Sequence, residues 1–380
     1  MRWSSVVLIL LAIQFSNCDP LTSAENEQRL NSCGKKVQSK VYMGRDAQQT
    51  EAPWSIFYLL YGKPDAKGAR TATTCTGTIV STRHILFATH CFADLNDVSW
   101  SPKDLPFDNN NCKGDHYEIT NEELLKAIKI QSNGAKVAQH PEKITIVYGC
   151  IKRQANKTTP YPNVGPQYYV DDFAIIDLYE DLTFSETLGM VCVAEIRAAN
   201  VVNTVLDYFG FGLNPPKGQQ EGKDNSGLLR HEKVQIRSDM PMEDYYFLAI
   251  SVDSKTIACV GDSGGGSIGD INGKKTIVGV LSQTNCANPK DRDDKPFEQY
   301  ASVGYYNDII CQLTGICNTS QEHDKYLPNN VRPVKPPRPT EAPIVTHQRE
   351  IGQAQGAEPD GANEKSIHFI VALILVVFLV

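Results

Sequence analysis

Apolar residues along the chain fall in short runs separated by clusters of Gly, Pro and Asn. Trp54 to Tyr61, Ile144 to Tyr148, Phe173 to Ile176 and Thr276 to Leu281 are the clearest. Their β-branched and aromatic residues suit a pleated, half-buried surface, so each reads as a strand. Many short strands punctuated by turn residues predict an all-β body, an antiparallel barrel or sandwich, over alternating β/α units. Two places read as helix. Thr120 and Glu123 form a capping box before Leu124, Leu125 and Ile128. Tyr305 to Leu313 closes the body. No repeat recurs at a fixed period.

The two ends follow other patterns. Met1-Arg2 leads into an apolar run from Val6 to Phe15, then Ser16-Asn17-Cys18 before Asp19-Pro20. A basic start, a short apolar core and small residues at a cut site read as a secretory signal over residues 1–18. The alternative, a membrane anchor, needs about 20 apolar residues. At the other end Ile367 to Val380 is apolar, broken only by His368, and follows a small-polar stretch from Gly352 to Ser366. That order matches a glycolipid (GPI) attachment signal. Gly352, Gly356 and the Asp360-Gly361-Ala362 triplet compete as the attachment site, and a short tail anchor is the other reading.

Composition narrows the picture. Hydrophobic residues make up 41% and charged residues 21%, which excludes global disorder. The net charge of −7, without a basic stripe, argues against nucleic acid as a partner. Removal of Cys18 with the signal leaves an even set of cysteines, which in a secreted chain suggests five disulfides. No paired CxxC motif appears, so no zinc module, metal or cofactor is expected. Pro328, Pro333, Pro336, Pro337, Pro339 and Pro343 keep their segment extended, so residues 318–366 read as a stalk. Asn156-Lys157-Thr158 and Asn318-Thr319-Ser320 are glycan acceptor motifs.

Three local patterns carry chemistry. In Ala88-Thr89-His90-Cys91 a strand ends on a histidine, and a bridge from Cys91 to Cys75 pins its loop. In Asp171-Asp172-Phe173-Ala174-Ile175-Ile176 an acid precedes a strand that must be buried. In Gly261-Asp262-Ser263-Gly264-Gly265 a serine sits in a tight glycine turn, with N–H groups around it able to stabilise an oxyanion. A serine hydroxyl attacks an amide only with a base in hydrogen-bond reach, and that base needs a fixed tautomer.

Taken in the order His, Asp, Ser, these motifs resemble the trypsin/chymotrypsin class of serine proteases, with a divergent character similar to the nematode trypsin-like branch. The resemblance implies two antiparallel six-stranded β-barrels and a short C-terminal helix within residues 41–317. It implies Ser263 as nucleophile, His90 as general base and Asp172, rather than Asp171, as the acid that orients it. Gly261 and Ser263 supply the oxyanion N–H groups. Residues 19–40 become a light segment, and a cut after Lys40 frees an amine at Val41 that pairs with Asp262. Val41-Tyr42-Met43-Gly44 departs from the family's usual start at that point. By the same resemblance Cys33 pairs with Cys192 and Cys259 with Cys286. Cys112–Cys150 and Cys311–Cys317 then take the remaining cysteines.

Departures from the family pattern bear on specificity. Ile257 stands at the pocket base where trypsin-like enzymes carry Asp, and Ser282-Gln283-Thr284 replaces Ser-Trp-Gly. Glu298 occupies a usual glycine position, where it either attracts a basic side chain or blocks the pocket. Tryptic cleavage is therefore not expected. The stretch between His90 and Asp172 is longer than usual, and its excess, about residues 100–139, reads as an added surface loop. The expected function is a secreted or surface-tethered serine endopeptidase. Its partners are a polypeptide substrate, a protein inhibitor or an activating protease, and the membrane through the C-terminal anchor. The alternatives are an inactive homologue serving as an extracellular binding module, or a structural surface protein.

Overall fold

The computed structural model describes residues 20–35, 45–64, 66–68, 70–96, 99–132, 135–138, 140–150, 171–195, 201–213, 227–237, 245–253, 257–284, 286 and 297–327. The signal, most of the stalk, the hydrophobic tail, Lys40, Val41 and Asn156 lie outside the described residues. Among the described residues no helix is long and apolar enough to cross a membrane.

Two antiparallel sheets dominate, in a chymotrypsin-like arrangement. The amino-terminal sheet contains β1 (Ser55–Tyr61), β2 (Ala72–Ile79), β3 (His84–Phe87), β4 (His116–Ile119), β5 (Ile128–Ser132), β6 (Pro141–Ile146) and β7 (Ala174–Leu178). Its spatial order is β5-β1-β2-β3-β7-β6-β4, with Ala135–Lys136 and Cys112–Lys113 added at the two edges. Every residue of β3 and β7 is buried, as befits central strands. The carboxyl-terminal half contains β8 (Val205–Gly210), β9 (Arg230–Ile236), β10 (Tyr246–Ser251), β11 (Gly266–Ile271), β12 (Lys274–Thr284) and β13 (Glu298–Ser302). These pair in the ring β9-β8-β11-β12-β13-β10 and back to β9, which closes a six-stranded barrel. Closure leaves the ring no free edge.

The amino-terminal sheet is larger than six strands because residues 112–136 take part in it. This corrects the reading of residues 100–139 as an added surface loop. Strand β5 lies in that stretch, pairs with β1 from Phe57↔Gln131 to Leu60↔Ile128, and buries Ile128 and Ile130. The period-2 signal of β5 was masked by the adjoining helix α2 (Glu122–Lys126), whose Leu124 and Leu125 are also buried. The cap of α2 is Asn121, one residue later than expected, with its side chain accepting from the Leu124 N–H at 2.9 Å.

The helices sit at the periphery. Helix α1 (Ser23–Ser32), which the hydrophobic pattern did not announce, starts with a capping box formed by Thr22 and Glu25. It packs against α4 (Ser320–Tyr326), and its polar side chains reach the segment that joins α3 (Asn307–Thr314) to α4. Asn26 Nδ2 and the Arg29 guanidinium both donate to the Cys317 carbonyl, at 2.9 and 2.8 Å. Helix α3 confirms the expected C-terminal helix and ends at Gly315, whose φ of 71° suits glycine. All five disulfides are formed: Cys33–Cys192, Cys75–Cys91, Cys112–Cys150, Cys259–Cys286 and Cys311–Cys317.

Candidate active site

Strand register alone brings the histidine and the acid together. β3 and β7 pair antiparallel with Phe87 opposite Ala174. Continuing past Phe87, the chain turns through a short 3-10 segment, Thr89–Cys91, which carries His90. Two residues before Ala174 on the partner strand lies Asp172. The junction is tied by Thr89 Oγ1 donating to the Asp171 carbonyl at 3.0 Å and by the Cys75–Cys91 bridge.

The contact is two-pronged. The His90 backbone N–H donates to Asp172 Oδ1 at 2.9 Å, and Nδ1 of its ring lies 2.7 Å from Oδ2. A carboxylate only accepts, so this bond assigns the proton to Nδ1 and leaves Nε2 as the basic nitrogen. Ser282 Oγ also donates to Asp172 Oδ2, at 2.6 Å. Burial pushes Asp172 up, but the His90 ring, with the hydrogen bonds from His90 and Ser282, outweighs it and holds the carboxyl below the usual carboxylate range. The His90 side chain is 30% exposed and that of Asp172 13%, so the ring reaches the surface while its acid is shielded. Asp171, the neighbouring candidate, offers its backbone carbonyl instead.

The serine turn packs against the same place from the other half of the molecule. The Thr76 N–H donates to the Ser263 carbonyl at 2.9 Å, and Cys91 Sγ lies 3.8 Å from that oxygen. Thr76 Oγ1 donates to the Gly261 carbonyl at 3.0 Å. Gly264 has φ of 85°, and a Cβ there would lie 2.4 Å from the Thr76 carbonyl oxygen. Only glycine lets the turn approach β2 this closely. Asp262 points inward, accepting from the Cys259 and Gly212 N–H groups at 2.8 Å each, while Tyr208 Oη donates to its carbonyl at 2.6 Å. Burial, the largest influence, pushes the Asp262 carboxyl up to about 7 despite those two bonds.

The pocket residues are drawn together by β12 and β13, where Thr284 lies opposite Glu298. Glu298 is wholly buried, and both of its oxygens are occupied. Oε1 accepts from the Ala258 N–H at 2.9 Å and Oε2 from the Tyr300 hydroxyl at 2.5 Å. Burial raises its pKa, which disfavours the charged form. Thr284 Oγ1 donates to the Ala258 carbonyl at 2.9 Å, stitching one wall to the other beside the Cys259–Cys286 bridge. Ile257 is half-buried. Ser282, expected at the pocket wall, directs its hydroxyl to Asp172.

Cys75, His90 and Cys91 place potential metal-ligating atoms close together, but the two sulfurs are bonded to each other and do not suit a metal. The Asn318 side-chain nitrogen is enclosed, and its backbone N–H donates to Glu322 at 3.0 Å. Sequence reasoning did not single out Tyr208, Gly212 or Thr76. Only the glycine pair Gly210-Phe211-Gly212 hinted at a close backbone approach; a Cβ on Gly212 would lie 2.3 Å from Asp262 Oδ2.

Comparison with known proteins agrees with this architecture. A profile of the nematode trypsin-6-like family matches residues 4–317. The chain is 22% identical over 277 residues to CLIP domain-containing serine protease B15 of Anopheles gambiae, covering 69% of this chain and 67% of that protein. It is 24% identical over 262 residues to trypsin-like protease try-5 of Caenorhabditis elegans, covering 62% and 75%. Transmembrane protease serine 11A of Homo sapiens is 28% identical over 157 residues, 38% of this chain and 35% of that protein.

Proposed function

The chain belongs to the nematode trypsin-6-like family, a divergent branch of the S1 trypsin-like proteases, and from this we propose that it is a serine endopeptidase, secreted or held at the cell surface. The observation that carries the reading is the His90–Asp172 pair, with Nδ1 bonded to the carboxylate at 2.7 Å beside a glycine-rich serine turn. In this reading Ser263 Oγ attacks the scissile carbonyl carbon as His90 Nε2 takes its proton. The N–H groups of Gly261 and Ser263 receive the oxyanion. The imidazolium then gives the proton to the leaving amine, and water hydrolyses the acyl-enzyme by the same route. Asp172 keeps the ring in its tautomer and stabilises its charge, with Ser282 holding the carboxylate in place.

The pocket points to small, uncharged side chains before the scissile bond. Thr284 narrows it and Ile257 presents no charge at its base. The Glu298 carboxyl is spent on Ala258 and Tyr300, which leaves little for a basic side chain to find. Five disulfides fit an oxidising compartment. We assign residues 1–18 to a signal peptide, 19–40 to the light segment, 41–317 to the protease domain, 318–366 to the stalk and 367–380 to the tail, read as a GPI signal. A cut after Lys40 would supply the amine for Asp262.

The narrowed, uncharged pocket also favours a second reading, a weak or inactive homologue that binds polypeptides outside the cell. A peptide-library cleavage profile, run on protein cut after Lys40 and on Ser263→Ala, separates the two. Cleavage after Ala, Gly or Ser that is lost in Ser263→Ala supports the peptidase. Absence of cleavage beyond that of the variant supports the binder.

A further inference from the structure

Although the chain carries a net charge of −7, the charged residues that line one of its cavities are more often basic than acidic. It is a half-open cleft of about 260 Å³ between the turn joining β1 to β2 and the segment from Lys103 to Ala127. Lys63, Arg70, Lys103 and Lys126 line it, against the carboxylates of Asp104 and Glu123. Lys63 and Arg70 are exposed at its mouth. Lys126 leans on Glu122 at 2.7 Å, an exposed pair of little energetic weight. Lys103 is held differently: its Nζ donates to two neutral oxygens, Thr73 Oγ1 at 3.3 Å and the Cys91 carbonyl at 3.4 Å. Burial lowers its pKa, with Asp94 and Asp104 opposing.

One of those partners ties the cavity to the candidate active site. Cys91 follows His90 directly, so the cavity adjoins the turn that carries the histidine.

We propose that this cavity binds an acidic stretch of a polypeptide, a substrate or protein inhibitor, whose neighbouring residues occupy the site at His90 and Ser263. The second clause rests on the function proposed above; binding in the cavity does not. Its volume, below the range of about 300–1,000 Å³ usual for small-molecule pockets, suits a few side chains. Asp104 and Glu123 disfavour a uniformly charged polyanion, whereas Pro64 and Leu105 offer apolar contact to a peptide.

The test uses the full chain carrying Ser263→Ala, so that no cleavage is needed for a signal. Fluorescent peptides rich in Asp and Glu are compared with Asn and Gln counterparts by anisotropy, at low and high salt. The acidic peptide is expected to bind about tenfold more tightly, with the advantage shrinking as salt screens it. Lys63→Glu with Arg70→Glu should abolish that preference and favour a Lys-rich peptide. Lys126→Gln is the second variant, expected to weaken the preference if the double variant does not fold. Equal binding of acidic and neutral peptides, or a preference unchanged in these variants, overturns the proposal. So does a sulfated oligosaccharide that binds here while the acidic peptide does not. If acidic peptides bind but the wild-type chain cleaves nothing, the cavity assignment stands and the peptidase reading falls.

Discussion

Replacing Asp262 by Asn should flatten the dependence of folding stability on pH. Asp262 is 8% exposed, and burial pushes its carboxyl pKa from 3.8 to about 7. Glu298 adds to the rise; the Cys259 and Gly212 N–H groups and Arg230 oppose it. A raised carboxyl means that between about pH 4 and pH 7 the folded chain holds a proton that the unfolded chain has lost. Stability therefore falls as pH rises through that window. A shift of about three units at ~1.36 kcal/mol each makes the fall about 4 kcal/mol from this group alone. The assay is urea unfolding of wild type and Asp262→Asn at about pH 4 and about pH 8. Wild type should lose about 4 kcal/mol more than the variant between the two. The variant retains every other titrating group, so contributions such as that of Glu298 largely cancel in the difference. Parallel pH profiles would refute the reasoning. On the proposed activation route, a cut after Lys40 supplies an amine at Val41 that favours the carboxylate and shrinks the slope.

Four further outcomes follow from the same geometry. Asp172→Asn, which leaves the imidazole in the wrong tautomer, should lower kcat by about 10⁴-fold in steady-state assays. Ser282→Ala removes a hydrogen bond that holds the Asp172 carboxylate in place and should lower kcat/KM by about tenfold in steady-state assays. Thr284→Gly removes the link to the Ala258 carbonyl and should raise kcat/KM for substrates with larger side chains before the scissile bond, read from a peptide library. Mass spectrometry of the secreted chain, with and without glycosidase, should find a glycan on Asn318, whose Asn318-Thr319-Ser320 motif is accessible before the chain folds.

The candidate site was legible because its chemistry is local. His90, Asp172 and Ser263 each sit in a short motif at the end of a strand or in a glycine turn. The pairing of β3 with β7 then assembles what the motifs announce separately. Strands rich in β-branched residues were legible for the same reason. Helix α1 was not, because polar contacts rather than an apolar face dock it. Asn26 and Arg29 meet the Cys317 carbonyl far along the chain, and such pairings leave no periodic trace. Strand β5 was missed because its alternation is brief and runs straight out of α2. The bond from Ser282 to Asp172 was not legible, because sequence position places a residue near a site without saying where its hydroxyl points. The cationic cavity was invisible for a related reason: Lys63, Arg70, Lys103 and Lys126 form no run, and only the fold gathers them.

The central claim is that Ser263 is a nucleophile activated by His90. Treating the chain, cut after Lys40, with a fluorophosphonate and locating the adduct by peptide mass spectrometry asks this most directly. The account predicts a phosphonylated Ser263 in wild type and none in His90→Ala of equal folded stability. An unmodified Ser263 in wild type, under conditions that label trypsin to completion, would contradict it.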